Sequence, residues 1–441
     1  MVSYLPVLDL FEFKTKEFSI GDECDLSSDQ IVLTEKQVKL LEKVNSRYKF
    51  IDIDISRKQI KPKNFVGAIK VGDLTIQIFP KIVKGETKSK KSLAMGNLIR
   101  MLLVAEYIHY REIGVAEIDV EKYDFLEILM IIFSTKLLEV LKSNLYYNYR
   151  FKWDDLRYVR GRIDIAKYFS RPCRRHVIPC NFNDRTMDNL LNRTLKYTAY
   201  LMSRISSSSE AFRRLRKCMS ILDPVELVPV SVSEADKIMF NRLNQVYKPL
   251  IEMAKIFLSG ATIKLQKSHI ETFTFLVPME KLFERFITRL IELREVLPDD
   301  LKGAEIEAQK GIGYLAERNE KSKVGVFELI PDVKIEVNGK KFVIDLKYKL
   351  LDEQDRKLGV SQEDAYQMYA YATKVNADAV LLIYPNWGLE NKIEAQFMFK
   401  TPQRDIPLYI RTIDLGKNLL DNDEWERFKE EVKSVFRVLV E

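Results

Sequence analysis

A chain of 441 residues and 51.7 kDa is too long for one compact core and suits two or three domains of ~100–200 residues. Apolar residues make up 46% and charged residues 31%, with 16 Gly and 14 Pro, which excludes extended disorder, collagen-like repeats and low-complexity scaffolding. Lys and Arg exceed Asp and Glu by 71 − 64 = 7, an excess compatible with a nucleic-acid partner but too mild to identify one.

The first ten residues lack a basic segment ahead of an apolar run, so no signal peptide is expected. Residues 49–55 (KFIDIDI) and 67–82 (GAIKVGDLTIQIFPKI) alternate as strands do, and a helix is expected near 34–43. These form a β-rich N-terminal module over residues 1–90, closed by a polar linker at 84–92. The period then lengthens. Residues 93–111 and 123–145 carry apolar side chains at three- and four-residue steps, the helical signature. The longest apolar run, 125–133, contains Glu127 and is far short of the ~20 residues that cross a bilayer.

Residues 91–262 thus read as a helical middle region, interrupted by a basic arm at about 146–185. Between 146 and 176 the arm places nine Lys and Arg against three Asp, interleaved with Tyr, Phe and Trp. Helices are expected again over 184–202, 211–221 and 233–257. The four Cys show no CxxC spacing and only three His exist, so a zinc site or disulfide framework is a poor reading and a reducing, cytoplasmic setting is expected.

From residue 263 the order becomes strand (272–277), helix (279–293), three short strands (326–330, 333–337, 342–348), helix (363–374), strand (379–384) and two further strands (395–399, 408–413), an α/β unit with a mixed sheet reaching residue 441. The segment around Trp387 reads as a strand-end turn. The chain as a whole is expected to be α+β and multidomain.

The chemistry concentrates in residues 331–347, PDVKIEVNGKKFVIDLK. Asn338-Gly339 is a favoured two-residue hairpin loop, because both residues tolerate positive φ. With 337 opposite 340, Asp332 falls opposite Asp345, and Lys347 shares their face. Two opposed carboxylates repel, and a divalent cation would relieve them; Mg²⁺, held by a few carboxylates plus water and phosphate oxygens, suits phosphodiester hydrolysis. The competing reading is an exposed, solvated charged face, since Lys334, Glu336 and Lys341 lie on it too. In the preceding helix Leu282, Phe286, Leu290 and Leu293 form the buried stripe and Glu284 points elsewhere, available as a third carboxylate. In the following helix Gln367 and Tyr371, four apart, share a face.

In this order Pro331-Asp332, Asp345-Leu346-Lys347 and Gln367-x-x-x-Tyr371 resemble the PD-(D/E)xK nucleases of the RecB-like branch, with Asp345 in place of the commoner Glu. Segments 71–82 (VGDLTIQIFPKI), 160–164 (RGRID), 187–193 (MDNLLNR) and 282–284 (LFE) extend the likeness over most of the chain to the McrC family, the nuclease subunits of McrBC modification-dependent restriction systems. The resemblance implies a Mg²⁺-dependent DNA endonuclease. Asp332 and Asp345 would bind metal, Glu284 would support it directly or through water, Lys347 would act on the attacking water, and Gln367 and Tyr371 would orient substrate or lysine. It also implies a hexameric AAA+ GTPase partner, McrB-like, that binds GTP and recognises modified double-stranded DNA. This chain has no GxxxxGK[ST] phosphate loop of its own. Within the arm, Arg160 and Arg162 flank Gly161, where a turn could present them to that partner. The alternatives are a stand-alone RecB-like repair nuclease and a non-catalytic assembly factor that stimulates a partner GTPase.

Overall fold

The computed structural model describes residues 6–26, 31–54, 57–81, 88–106, 120–264, 269–318, 324–386 and 392–440. Trp387 lies outside them, as do residues 107–111 of the helix expected at 93–111. The chain forms two compact units, one of Met1–Phe125 with Thr274–Glu441, the other of Leu126–Phe273.

The first unit begins with β1 (Val7–Phe11), β2 (Lys16–Gly21), β3 (Ile31–Thr34), α1 (Glu35–Tyr48), β4 (Ile51–Asp54), β5 (Gln59–Pro62), β6 (Phe65–Val71) and β7 (Leu74–Phe79). Thr34 opens α1 with a capping box, its hydroxyl accepting from the Gln37 N–H while Gln37 reaches back to the Thr34 N–H. β1 runs parallel to β7, and β6 turns back antiparallel on it. β7 is buried at every position, so its alternation does not separate a wet face from a dry one. Its polar Gln77 is satisfied internally, donating to Asp9 at 2.9 Å and accepting the Phe125 N–H at 2.7 Å. The helix α2 (Lys88–Val104) follows, so the polar residues 88–92 form its first turn rather than a linker.

The second unit carries most of α3 (Phe125–Ser143), then β8 (Asn148–Leu156), β9 (Arg162–Ile163), α4 (Ile165–Phe169), β10 (Ile178–Thr186), α5 (Leu190–Ile205), α6 (Ser209–Ile221), α7 (Val232–Ala235), α8 (Lys248–Gly260) and β11 (Ala261–Lys264). Here the helical expectation needs correction. The basic arm is a three-stranded antiparallel sheet in the order β8-β10-β9, and the residues expected to start a helix at 184 finish β10 instead. Nor does one helix span 233–257. A capping box at Ser231 opens a single turn that ends at Ala235, and the side chains of Asn241 and Asn244 then hydrogen-bond nearby backbone, which competes with helix. Pro249 is tolerated because it lies in the first turn of α8. In the core, Phe133 meets Phe257 with ring centroids 6.2 Å apart, and Leu195, Met202, Leu215 and Ile251 are fully buried. The serine run after α5 wraps the buried Glu127, which accepts from Ser206 Oγ at 2.7 Å and Ser207 Oγ at 3.0 Å.

The first unit resumes with the end of β12 (His269–Pro278), which lies beside β6, and continues through α9 (Met279–Glu292), β13 (Glu305–Ala308), β14 (Gly313–Arg318), β15 (Val324–Leu329), β16 (Val333–Val337), β17 (Lys340–Leu346), α10 (Gln362–Val375), β18 (Ala379–Pro385), β19 (Glu394–Lys400), β20 (Asp405–Ile413) and α11 (Asn422–Arg437). Its six-stranded sheet has the order β13-β16-β17-β18-β20-β19, with β17, β18 and β20 mutually parallel and the rest antiparallel. The molecule is thus a mixed α+β chain with several mixed sheets. Among the described residues no helix is long and apolar enough to cross a membrane.

Candidate active site

The β16–β17 turn sets the geometry. Asn338 and Gly339 have φ of 51° and 79°, as a type I′ turn requires, and the strands pair through Val337↔Lys340 to Val333↔Ile344. One step further on, Asp332 accepts the Leu346 N–H on Oδ2 at 2.7 Å and Gln309 Nε2 on Oδ1 at 2.6 Å.

The solvated-face expectation fails here. Asp332 and Asp345 are only 7% and 2% exposed. β17 is an interior strand flanked by β16 and β18, and α9 and α10 both pack against it. Toward the turn, Lys334 pairs with Glu307 at 3.0 Å and Glu336 at 3.3 Å.

Lys347 Nζ lies 2.5 Å from Asp345 Oδ2, donates to Gln367 Oε1 at 2.9 Å and stands 4.0 Å from Asp364 Oδ1. Gln367 Nε2 donates to the Tyr371 hydroxyl at 2.7 Å, and that hydroxyl donates to the Ile330 carbonyl at 2.9 Å, two residues before Asp332. The i, i+4 pair on α10 therefore links the lysine to the strand carrying the first carboxylate.

Burial and the neighbouring charge of Asp345 push the Asp332 carboxyl up to about 7. Burial also raises Asp345, against the opposing pull of Lys347. For Lys347 burial disfavours the ammonium, but Asp345, Asp364 and Asp332 outweigh it and the pKa is raised. This lysine is a cation at neutral pH.

Glu284, half-buried on α9, has its pKa raised by burial and by the charge of Asp345. It senses the pair without joining it: among the described residues no three His, Cys, Asp or Glu side chains gather closely enough to hold a metal ion. Asp332 and Asp345 are thus the two carboxylates at the centre of the site, with Glu284 facing them. Asp345 Oδ2 is buried and, apart from the Lys347 ammonium beside it, meets no hydrogen-bond donor among the described residues. Two buried, mutually repelling carboxylates, one of whose oxygens is met only by the Lys347 ammonium, fit Mg²⁺, which takes one or two carboxylates and completes its shell with water and phosphate oxygens.

Two further residues belong to the cluster. Asp364, 4% exposed, receives Lys349 Nζ on both oxygens at 2.9 Å and forms a second anion beside Lys347. Its spacing to Gln367 and Tyr371, three and seven residues back along α10, would have marked it. Gln309, which clamps Asp332, carries no comparable signal in the sequence.

In the second unit, alternate residues of β8 expose a row of aromatics: Tyr149, Phe151 and Trp153 are 67%, 57% and 57% exposed. Phe151 and Trp153 meet edge to face at 5.5 Å. Arg160 is tied into the sheet, 2.7 Å from Asp184 and with its guanidinium 4.2 Å from the centre of the Phe182 ring. Gly161 has φ +70°, and a Cβ there would lie 2.4 Å from the Asn181 carbonyl oxygen. Arg162 is exposed on β9, its backbone paired with Asn181. The turn therefore presents Arg162 and holds Arg160 inward.

A family model described as the McrBC 5-methylcytosine restriction system component matches residues 60–385. No curated protein matches the chain. Among solved structures, a chain of the refined half-complex from a tetradecameric assembly of Thermococcus gammatolerans McrB AAA+ hexamers with bound McrC is 18% identical, with a TM-score of 0.70 over 97% of this chain and 100% of that one. A chain of the Thermococcus gammatolerans McrBC complex is 19% identical, with a TM-score of 0.53 over 66% of this chain and 88% of that one.

Proposed function

Because the chain belongs to the family of McrBC 5-methylcytosine restriction system components, we propose that it is the nuclease subunit of such a system, a Mg²⁺-dependent DNA endonuclease of the PD-(D/E)xK type. The observation that carries this reading is the buried Asp332–Asp345 pair with Lys347 beside it, braced by Gln367 and Tyr371. Asp332 and Asp345 would hold Mg²⁺, and Glu284 would act on its shell through water. When bound, the cation offsets the charge that builds on the scissile phosphate. Lys347, held cationic, adds fixed positive charge and orients the attacking water rather than deprotonating it. Gln367 aims the lysine, and Tyr371 aims Gln367.

The cleavage works together with a hexameric AAA+ GTPase, which binds GTP and brings modified double-stranded DNA. The likeness in fold to chains from assemblies of McrB AAA+ hexamers with McrC supports this partnership. The exposed aromatic row of β8 with Arg162 is the contact surface, and Arg160 keeps that surface in shape.

The deciding experiment measures DNA cleavage by Asp345→Asn with the partner and GTP present. Loss of cutting by at least a hundredfold, with GTPase stimulation intact, is expected. Near-normal cutting would remove the site assignment and favour the assembly-factor reading, whereas GTP-independent cutting by the unmodified isolated chain would favour a stand-alone repair nuclease.

A further inference from the structure

Beyond the reacting groups, the first unit buries one more acid whose hydrogen bonding is incomplete. Glu12 directly follows β1 and is wholly buried. Its Oε2 accepts from the Tyr348 hydroxyl at 2.8 Å and from the Lys81 N–H at 3.1 Å, while Oε1 is buried without a hydrogen-bond partner among the described residues. Its own N–H donates to the Phe79 carbonyl at 3.0 Å, continuing the β1–β7 pairing. The acid is thus delivered by the N-terminal sheet.

What it meets is next to the chemistry. Tyr348 directly follows Lys347 and is 6% exposed, its ring centroid 5.9 Å from that of Phe283, the residue directly before Glu284. The Lys347 N–H donates to the Ile383 carbonyl at 2.9 Å, which holds the backbone on the sheet side, so Tyr348 is where the chain leaving β17 is fixed from the opposite end. A leucine at position 12 would fill the space without burying a carboxyl that has an unmet oxygen. The acid instead satisfies the hydroxyl of the residue beside the lysine.

We propose that Glu12 is a positioning residue for the nuclease reaction: by accepting the Tyr348 hydrogen bond it fixes the strand end that carries Lys347 and, through Phe283, the turn of α9 that carries Glu284. This rests on the reading of Asp332, Asp345 and Lys347 as the reacting groups. The titratable and charged groups facing Glu12 are Tyr348 after β17, Lys81 after β7 and Glu280 on α9. Burial pushes the Glu12 carboxyl up to about 8, so at neutral pH it is an uncharged acid and glutamine is its close mimic.

The test uses the full chain with its AAA+ partner at pH 7. Glu12→Ala should lower kcat for DNA cleavage at least tenfold, with KM for DNA and GTPase stimulation unchanged, because a misplacement of about 1 Å can cost far more rate than binding. Glu12→Gln should restore kcat to within about twofold, and Tyr348→Phe, which keeps the ring against Phe283, should share the loss. The Glu12→Ala, Tyr348→Phe double variant should be no worse than the poorer single variant, since both remove one interaction. Parent-like kcat in Glu12→Ala, or equal impairment of the Ala and Gln variants, overturns the inference. Should Glu12→Ala fail to fold, full activity in Tyr348→Phe overturns it. Cleavage lost in Asp345→Asn but kept in Glu12→Ala refutes this inference alone, and cleavage kept in Asp345→Asn refutes the site reading together with it.

Discussion

Replacing Glu12 by glutamine should stabilise the protein by an amount that grows with pH. The Glu12 carboxyl rises from its ordinary 4.5 to about 8 in the folded chain, mainly through burial. Between those values the folded protein keeps a proton that the unfolded chain has released, so stability falls as pH rises, by about 1.4 kcal/mol per unit. The contribution is complete below about pH 4.5 and lost by about pH 8, roughly 5 kcal/mol across the window. Glutamine does not titrate, and its amide takes the place of the protonated oxygen that has no partner among the described residues, so any mismatch it introduces is independent of pH. Urea denaturation of parent and Glu12→Gln in matched buffers from pH 5 to 9 isolates the effect, because every other titrating group cancels in the difference. The two proteins should differ little near pH 5, and the variant should be the more stable by several kcal/mol at pH 8. A difference that stays flat across that range would refute the claim that Glu12 is buried as a neutral acid.

Asp364→Asn takes the carboxylate from Lys349 and the second anion from Lys347; single-turnover cleavage should slow at least tenfold while DNA binding holds. Gly161→Ala sets a Cβ against the Asn181 carbonyl at positive φ, a strain of about 1–3 kcal/mol that should show as faster hydrogen exchange in β9 and β10 and as weaker GTPase stimulation. Changing Phe151 and Trp153 together to serine should alter stability by less than about 0.5 kcal/mol each, because both are largely exposed. Titration calorimetry should nevertheless show at least tenfold weaker binding to the AAA+ partner.

The parts of this molecule that are legible in its sequence are those specified by neighbours. Thr34 three residues before Gln37 announces a capped helix, Asn338-Gly339 announces a turn, and the turn places Asp332, Asp345 and Lys347 at one strand end. What covers that face is not local. β17 is interior because β18 and α10, which follow it, and α9, more than fifty residues earlier, all pack on it, so two aspartates that read as solvated are buried. The basic arm misleads for a related reason. Its aromatics stand exposed on alternate positions of β8, a pattern that charge counting reports only as an irregular projection. Between residues 232 and 248 apolar spacing continues, but Ser231, Asn241 and Asn244 offer the backbone hydrogen bonds that a helix would otherwise supply.

The supports of the site are invisible for the same reason, and they explain its charge. Asp332, Asp345 and Asp364 set three buried carboxylates around two lysines, Lys347, which is mostly shut from water, and Lys349, which reaches it. A lysine in that setting resists giving up its proton, because a neutral amine would leave Asp345 and Asp364 less compensated. The surplus negative charge falls instead on the two opposed aspartates, and burial, with the charge of Asp345 added to it, raises the Asp332 carboxyl. On the proposed reading, a centre with one cation locked in place and one carboxylate pair short of positive charge would take a divalent ion together with a phosphodiester. Holding such a centre requires that its lysine not swing away to solvent. Gln367 restrains the ammonium, Asp364 flanks it, and the Glu12–Tyr348 hydrogen bond anchors the backbone one residue on. The first two restraints come from α10 and the third from the segment that follows β1, so the N-terminal sheet is as much a part of the candidate nuclease centre as the hairpin that bears its acids.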